Sequence, residues 1–363
     1  MISFSPTEEQ AMIVDTLKRY SKDKLRPAFR DADEDGELPA DLLAKGWELG
    51  LVGSSIPEAY SGFGELSAVT GVLALEELGA GDLATALALQ APATFALPVL
   101  VAGSEEQKEQ YLPQFSEEAF PKYTAALIEP SLRFNPRALQ TTARRDGDGY
   151  VLNGVKAYVP LLSRAEYVLV YAAEDGATQA FIVPVAAAGV SLGEREKLMG
   201  VRALELGRLT LKDVKVEAAA RLGGAAGINF DLLYARSQVA LAALAVGVAR
   251  TAYEYALDYA RNRQAFGEAI GQRQSIAFML AEMLVEIDGS RLMAWEAAAK
   301  LDNGEDVTRA ALLAKHTADK TVLMVCDRAV QILGGHGYIR EFPVELWLRN
   351  ARGFVTFDGL AIV

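Results

Sequence analysis

The repeat distance of apolar residues changes twice along this chain, and that restricts the folds open to it. Up to about residue 120 apolar side chains recur at helical spacing. From about Tyr123 they recur at every second position, and from about residue 226 helical spacing returns. A helix presents one apolar stripe and a strand one apolar face, so this order calls for segregated layers rather than a doubly wound sheet. The expected class is α+β: an N-terminal α-helical domain over 1–120, a middle antiparallel β domain over 121–222 and a C-terminal four-helix bundle over 223–363.

Local signals place the elements. Pro6-Thr7-Glu8-Glu9-Gln10 opens a helix, with acids in the first turn where the helix dipole favours them. Leu42, Leu43, Trp47, Leu49 and Leu51 mark a second helix; Val69–Leu78 marks a third, with Glu76 and Glu77 expected in solvent. Gly and Pro make residues 57–64 a loop. Strands surround Asp146-Gly147-Asp148 and Asp175-Gly176, both hairpin signals, and a last strand covers Leu209–Val216. Long helices are expected over Gln238–Tyr259, with Gly247 tolerated inside, and over Gln274–Leu301 and Glu305–Leu333.

Composition excludes several classes of function. Cys326 is the only cysteine and His316 and His336 the only histidines, so no disulfide within the chain and no structural zinc site is available. A net charge of −12 argues against nucleic acid, which needs a basic face. The start, Met1 to Glu9, has neither a basic nor an apolar run, so no signal peptide is read there. The uncharged stretch Leu83–Ala102 is Ala-rich and broken by Pro92 and Pro98, which suits a buried helix pair better than a membrane span. A cytoplasmic protein is expected.

Four motifs, in order, carry a resemblance. They are Gly103-Ser104-Glu105-Glu106-Gln107-Lys108 with Tyr111-Leu112-Pro113, and Leu152-Asn153-Gly154-Val155-Lys156. Then come Arg263-Gln264-Ala265-Phe266-Gly267 with Ile270 and Gln274, and Gln331-Ile332-Leu333-Gly334-Gly335-His336-Gly337-Tyr338 with Pro343-Val344-Glu345 and Arg349. Together they resemble the acyl-CoA dehydrogenase family over nearly the whole chain. The family's final helix, beyond the catalytic loop, has no counterpart up to Val363.

The resemblance implies α,β-dehydrogenation of an acyl-CoA thioester. A carboxylate removes the α-proton, the β-hydrogen leaves as hydride to FAD, and electrons pass to an electron-transfer flavoprotein. It also implies a tetramer in which the β domain of one subunit holds the flavin ring while a neighbour holds the ADP half. Residues matching those lent to the neighbour are retained. Arg263 matches the arginine on the pyrophosphate, Phe266 and Gln274 lie near the adenosine, and Gln331, Gly334 and Gly335 match the loop the cofactor approaches.

The flavin half departs from the family. Leu127-Ile128-Glu129-Pro130-Ser131-Leu132-Arg133-Phe134-Asn135 stands where L-T-E-P-x-x-G-S-D is expected, so Ile128 replaces the threonine at the flavin edge and Arg133-Phe134 a Gly-Ser pair. Tyr158-Val159-Pro160 stands where W-[IV]-[TS] is expected; Tyr158 can still stack on the ring, but Pro160 has neither hydroxyl nor N–H. Counting 27 residues from Gln331 reaches Asp358, the candidate base, where most members have glutamate. The alternative position on the preceding helix is Ala235. Aspartate is shorter by roughly 1.5 Å, and a misplacement of about 1 Å can cost on the order of 100-fold in rate.

Three readings follow. The chain is a subunit of a heteromeric acyl-CoA dehydrogenase that completes its partner's FAD site; or a homotetrameric FAD enzyme with Asp358 as base; or a nitroalkane-oxidase-like flavoenzyme, a branch in which aspartate is the base.

Overall fold

Thr7 accepts the N–H of Gln10, whose side chain returns to the Thr7 N–H, and this reciprocal cap starts the first helix where the sequence places it. The computed structural model describes residues 6–363; the reading of Met1–Ser5 falls outside them. The N-terminal region holds α1 (Glu8–Tyr20), α2 (Arg26–Asp35), α3 (Ala40–Trp47), α4 (Ala68–Gly81), α5 (Leu83–Gln90), α6 (Ala93–Ala102) and α7 (Glu105–Tyr111). α5 and α6 are the expected buried pair and meet at 40°.

Next come β1 (Tyr123–Ala126), β2 (Thr142–Asp146), β3 (Gly149–Pro160), β4 (Tyr167–Glu174), β5 (Ala177–Pro184), β6 (Val190–Leu192) and β7 (Leu206–Glu217). They form one sheet in the order β1-β4-β2-β3-β7-β6, with β5 also on β4. The hairpins expected at Gly147 and Gly176 are present as β2–β3 and β4–β5. The sheet is mixed rather than purely antiparallel, because β1 and β2 both run parallel to β4. After β1 the chain runs through residues 127–141 before β2, and the β2–β3 hairpin lies between β2 and β4, so β4 can run in the same direction as both.

The C-terminal region holds α8 (Phe230–Asn262), a two-strand turn of β8 (Gln264–Ala265) and β9 (Glu268–Ala269), then α9 (Gln274–Asp302), α10 (Thr308–Leu333), α11 (Gly335–Tyr338) and α12 (Val344–Ala351). α8 begins eight residues earlier than its periodicity indicates, capped by Asn229. α8 is long and apolar enough to cross a membrane, but it is buried between other helices along most of its length. Of the four expected bundle helices three are long; α4 from the N-terminal region packs on α8 beside them.

One expectation is corrected here. Glu76 and Glu77 are not solvated: both are buried at the α4–α8–α9 junction. Arg250 on α8 pairs with both carboxylates at 3.1 and 2.8 Å, and Arg291 on α9 pairs with Glu76 at 3.1 Å. Their charges stay inside because two guanidiniums come in with them.

Candidate functional site

The turn that carries Ile128 and Glu129 is tied to the sheet by a buried polar network. Glu129 accepts the N–H groups of Gln140 and Thr141, both at 2.7 Å, and pairs with fully buried Lys156 at 3.0 Å. Lys156 also donates to the Leu127 carbonyl at 3.1 Å, and the Ala157 N–H donates to the Ile128 carbonyl at 2.8 Å. The turn 127–129 is thereby fastened to β3. Burial lowers the Lys156 ammonium to about 8, although Glu129 opposes the shift. For Glu129, burial alone would raise the carboxyl; Lys156 and the two amides outweigh it and hold the group low.

The side chains on this scaffold are a different matter. Ile128 is buried in the main apolar core with Leu161 and Leu206, and Phe134 packs half-buried against it. Tyr158 is half-buried at a bulge in β3, with φ of 55°. Pro160 is buried and pairs with Leu206. The N–H of Leu161 is already given to the Glu205 carbonyl at 2.9 Å. A flavin edge is a row of hydrogen-bonding atoms. Ile128 and Pro160 would offer it aliphatic surface and no donor, so these residues do not fit the ring half of the cofactor.

The other half fits. Arg263 follows α8 directly, Phe266 sits in the tip between β8 and β9, and Gln274 opens α9. Gln331 lies in the last turn of α10, and Gly334 and Gly335 follow it. All six are exposed. The structure brings the two groups together: the Tyr259 hydroxyl, one turn before Arg263, lies 2.6 Å from Nδ1 of His336. Arg273 stacks over the Phe266 ring at 5.0 Å and keeps that aromatic presented to solvent. Gly334 also closes α10, its N–H going to the Gln331 carbonyl.

Asp358 is not part of this group. It lies near the start of α8, separated from Arg263 by roughly 45 Å of helix at 1.5 Å per residue. The Tyr234 hydroxyl donates to Asp358 Oδ1 at 2.8 Å. Arg137 stacks on Tyr234 at 5.3 Å and is paired with Asp231 at 2.8 Å. Lys315 holds the approach to the loop, donating to the Phe354 carbonyl and to Asp319, each at 2.7 Å. Burial raises the Asp358 carboxyl, opposed by the Tyr234 hydrogen bond and by Lys315. A carboxyl that takes up a proton more readily than usual is suited to proton abstraction.

Ala235 is buried, with no carboxylate in its place. Sequence reasoning missed Tyr234, although it adjoins that position, and missed Lys315; nothing local marks Tyr234 as the donor to a residue 124 positions away or Lys315 as the donor to a carbonyl 39 positions away. Among the described residues no cluster of three or more potential metal ligands occurs.

The comparisons agree with this architecture. The chain matches the N-terminal, middle and C-terminal domains of acyl-CoA dehydrogenase over residues 7–118, 124–214 and 232–361. The probable acyl-CoA dehydrogenase YngJ of Bacillus subtilis is 36% identical over 368 residues, spanning 99% of this chain and 96% of its own length. The short-chain specific acyl-CoA dehydrogenase of Bos taurus mitochondria is 33% identical over 361 residues, 97% of this chain and 87% of its own. The structure of butyryl-CoA dehydrogenase from Megasphaera elsdenii superposes with a TM-score of 0.89 at 30% identity, covering 97% of this chain and 95% of that one. Fold, motifs and full-length relatives coincide, and the chain belongs to the acyl-CoA dehydrogenase family.

Proposed function

We propose that this chain is a subunit of a cytoplasmic heteromeric acyl-CoA dehydrogenase, completing the FAD site of its partner rather than serving a flavin of its own. The reaction of the complex is α,β-dehydrogenation of an acyl-CoA thioester, with electrons leaving through an electron-transfer flavoprotein. FAD, held by the partner, accepts the hydride. One observation carries the reading. Arg263, Phe266, Gln274, Gln331, Gly334 and Gly335, which match the lent residues, are all exposed, whereas the ring half offers Ile128, Phe134 and Pro160.

The chain's own roles follow. Arg263 would take a phosphate oxygen by a bidentate guanidinium contact. Phe266 would lie against the nucleoside, and the glycines at 334 and 335 leave the backbone open to it. A large apolar partner surface is available. Phe278, Leu284, Val285 and Leu292 on α9 and Leu312 and Leu313 on α10 are exposed. A surface cavity of about 550 Å³ lies between the two helices, lined by Val285, His316, Met324 and Arg328. Patches of this kind suit a permanent tetramer.

The second reading, a homotetramer with Asp358 as base, is favoured by the Tyr234–Asp358 contact. Two variants separate the two, made with the co-expressed partner. Arg263→Ala should strip FAD from the partner, by about 1.5–3 kcal/mol for a charge-assisted bond, or roughly 10–150-fold in affinity. Asp358→Asn should leave turnover nearly unchanged. A complex that keeps its FAD in the first variant and loses activity in the second is the homomeric enzyme instead.

A further inference from the structure

Beyond Asp358 the chain turns inward. Leu360, Ala361, Ile362 and Val363 are all buried. Two small cavities lie against this segment. One, about 20 Å³, is walled by Leu127, Tyr234, Gly359, Ala361 and Ile362. The other, about 60 Å³, is walled by Gly71, Gln90, Leu97, Ile362 and Val363. Ile362 is a wall of both. Sites that hold a small molecule measure roughly 300–1,000 Å³, so neither admits an acyl chain. The space between them is filled by the chain itself.

The segment is fastened there. The Ile362 N–H donates to Gln90 Oε1 at 3.2 Å. Arg236 donates from Nη1 to the Val363 backbone oxygen at 2.7 Å. Arg236 is buried, and its Nε has no partner among the described residues. A buried guanidinium with donors to spare gains from any acceptor brought to it. Gly71 on α4 lets Val363 close in: a methyl there would come within 2.8 Å of Val363 Cγ1.

We propose that Leu360–Val363 is a built-in plug, filling an apolar channel that leads to Asp358 and keeping acyl chains out of this chain's own site. It uses the Asp358 reading only to say where the channel leads. Its readout is acyl-length dependence, not FAD content, so it fails separately from the partner-subunit reading.

The test is calorimetric titration of the purified full chain with acetyl-CoA and octanoyl-CoA. A plugged channel gives the wild type equal affinity for both. Each methylene that enters an apolar channel is worth about fourfold. A combined Ile362→Gly and Val363→Gly variant, which hollows the plug, should therefore bind octanoyl-CoA more than tenfold tighter than acetyl-CoA. Arg236→Gln, which loosens the anchor and leaves the plug side chains alone, should move the same way. Amide exchange in the wild type should show Ala361–Val363 protected. Three results each overturn the proposal: a wild type that already prefers octanoyl-CoA tenfold, folded variants that stay indifferent to length, or exchange at Ala361–Val363 as fast as in an unstructured peptide.

Discussion

Replacing Gly247 by alanine sets two effects of opposite sign against each other. Gly247 lies inside α8, where alanine is favoured over glycine by about 1 kcal/mol. Propensity alone therefore makes the variant more stable. The crossing of α8 with α4 says otherwise. A Cβ at position 247 would stand 2.1 Å from the Glu76 carbonyl oxygen and 2.8 Å from the Ala80 nitrogen. Both are backbone atoms of α4, so no side chain can swing away and the helix axes must separate. Forcing a methyl into such a contact typically costs 1–3 kcal/mol. The separation also draws Glu76 away from Arg250 and Arg291, leaving buried charge less well paired. The steric cost less the propensity gain leaves roughly 0–2 kcal/mol, and the weakened Glu76 pairing adds to it, so the net expectation is destabilisation. Guanidinium chloride unfolding would show it as a lower midpoint at unchanged slope. A variant as stable as the wild type, or more stable by the propensity increment, would refute the close crossing.

Two further outcomes are expected. Lys156→Met leaves Glu129 buried without its cation and should destabilise by about 3–5 kcal/mol, while adding Glu129→Gln should recover much of the loss; the recovery in a double-mutant unfolding cycle is the check. Asp358 has its carboxyl raised by burial, so the folded chain holds that proton at pH values where the unfolded chain has released it. Stability from this group is then present at low pH and lost as pH rises through the folded value. Asp358→Asn should flatten that part of a Tm-against-pH curve, and an unaltered curve would count against the raised carboxyl.

The order of layers and most element positions could be read along the chain. These depend on local period, turn chemistry and short motifs, all carried within about a dozen residues. What could not be read depends on residues far apart. Glu76 and Glu77 look like a solvated pair until α8 and α9 bring Arg250 and Arg291 to them, more than 170 positions later. Gly247 reads as a tolerated defect, because nothing in α8 itself shows that α4 passes against it. The direction of β1 beside β4 is likewise a matter of how a connection wraps. At the site, the losses at Ile128 and Pro160 were visible as letters, whereas Tyr234 behind Asp358 needed the fold.

The length of α8 has an evolutionary consequence. At 33 residues it extends for roughly 50 Å. Tyr234 near one end donates to Asp358, and Arg263 just past the other end is exposed. Sites more than about 10 Å apart with no shared partners respond to mutation independently. Selection can therefore act on the two ends of this rod as on two separate genes. A duplicate copy is free to let one end change while the other is held. One rigid rod thus gives this chain, without added parts, two places that can change at separate rates.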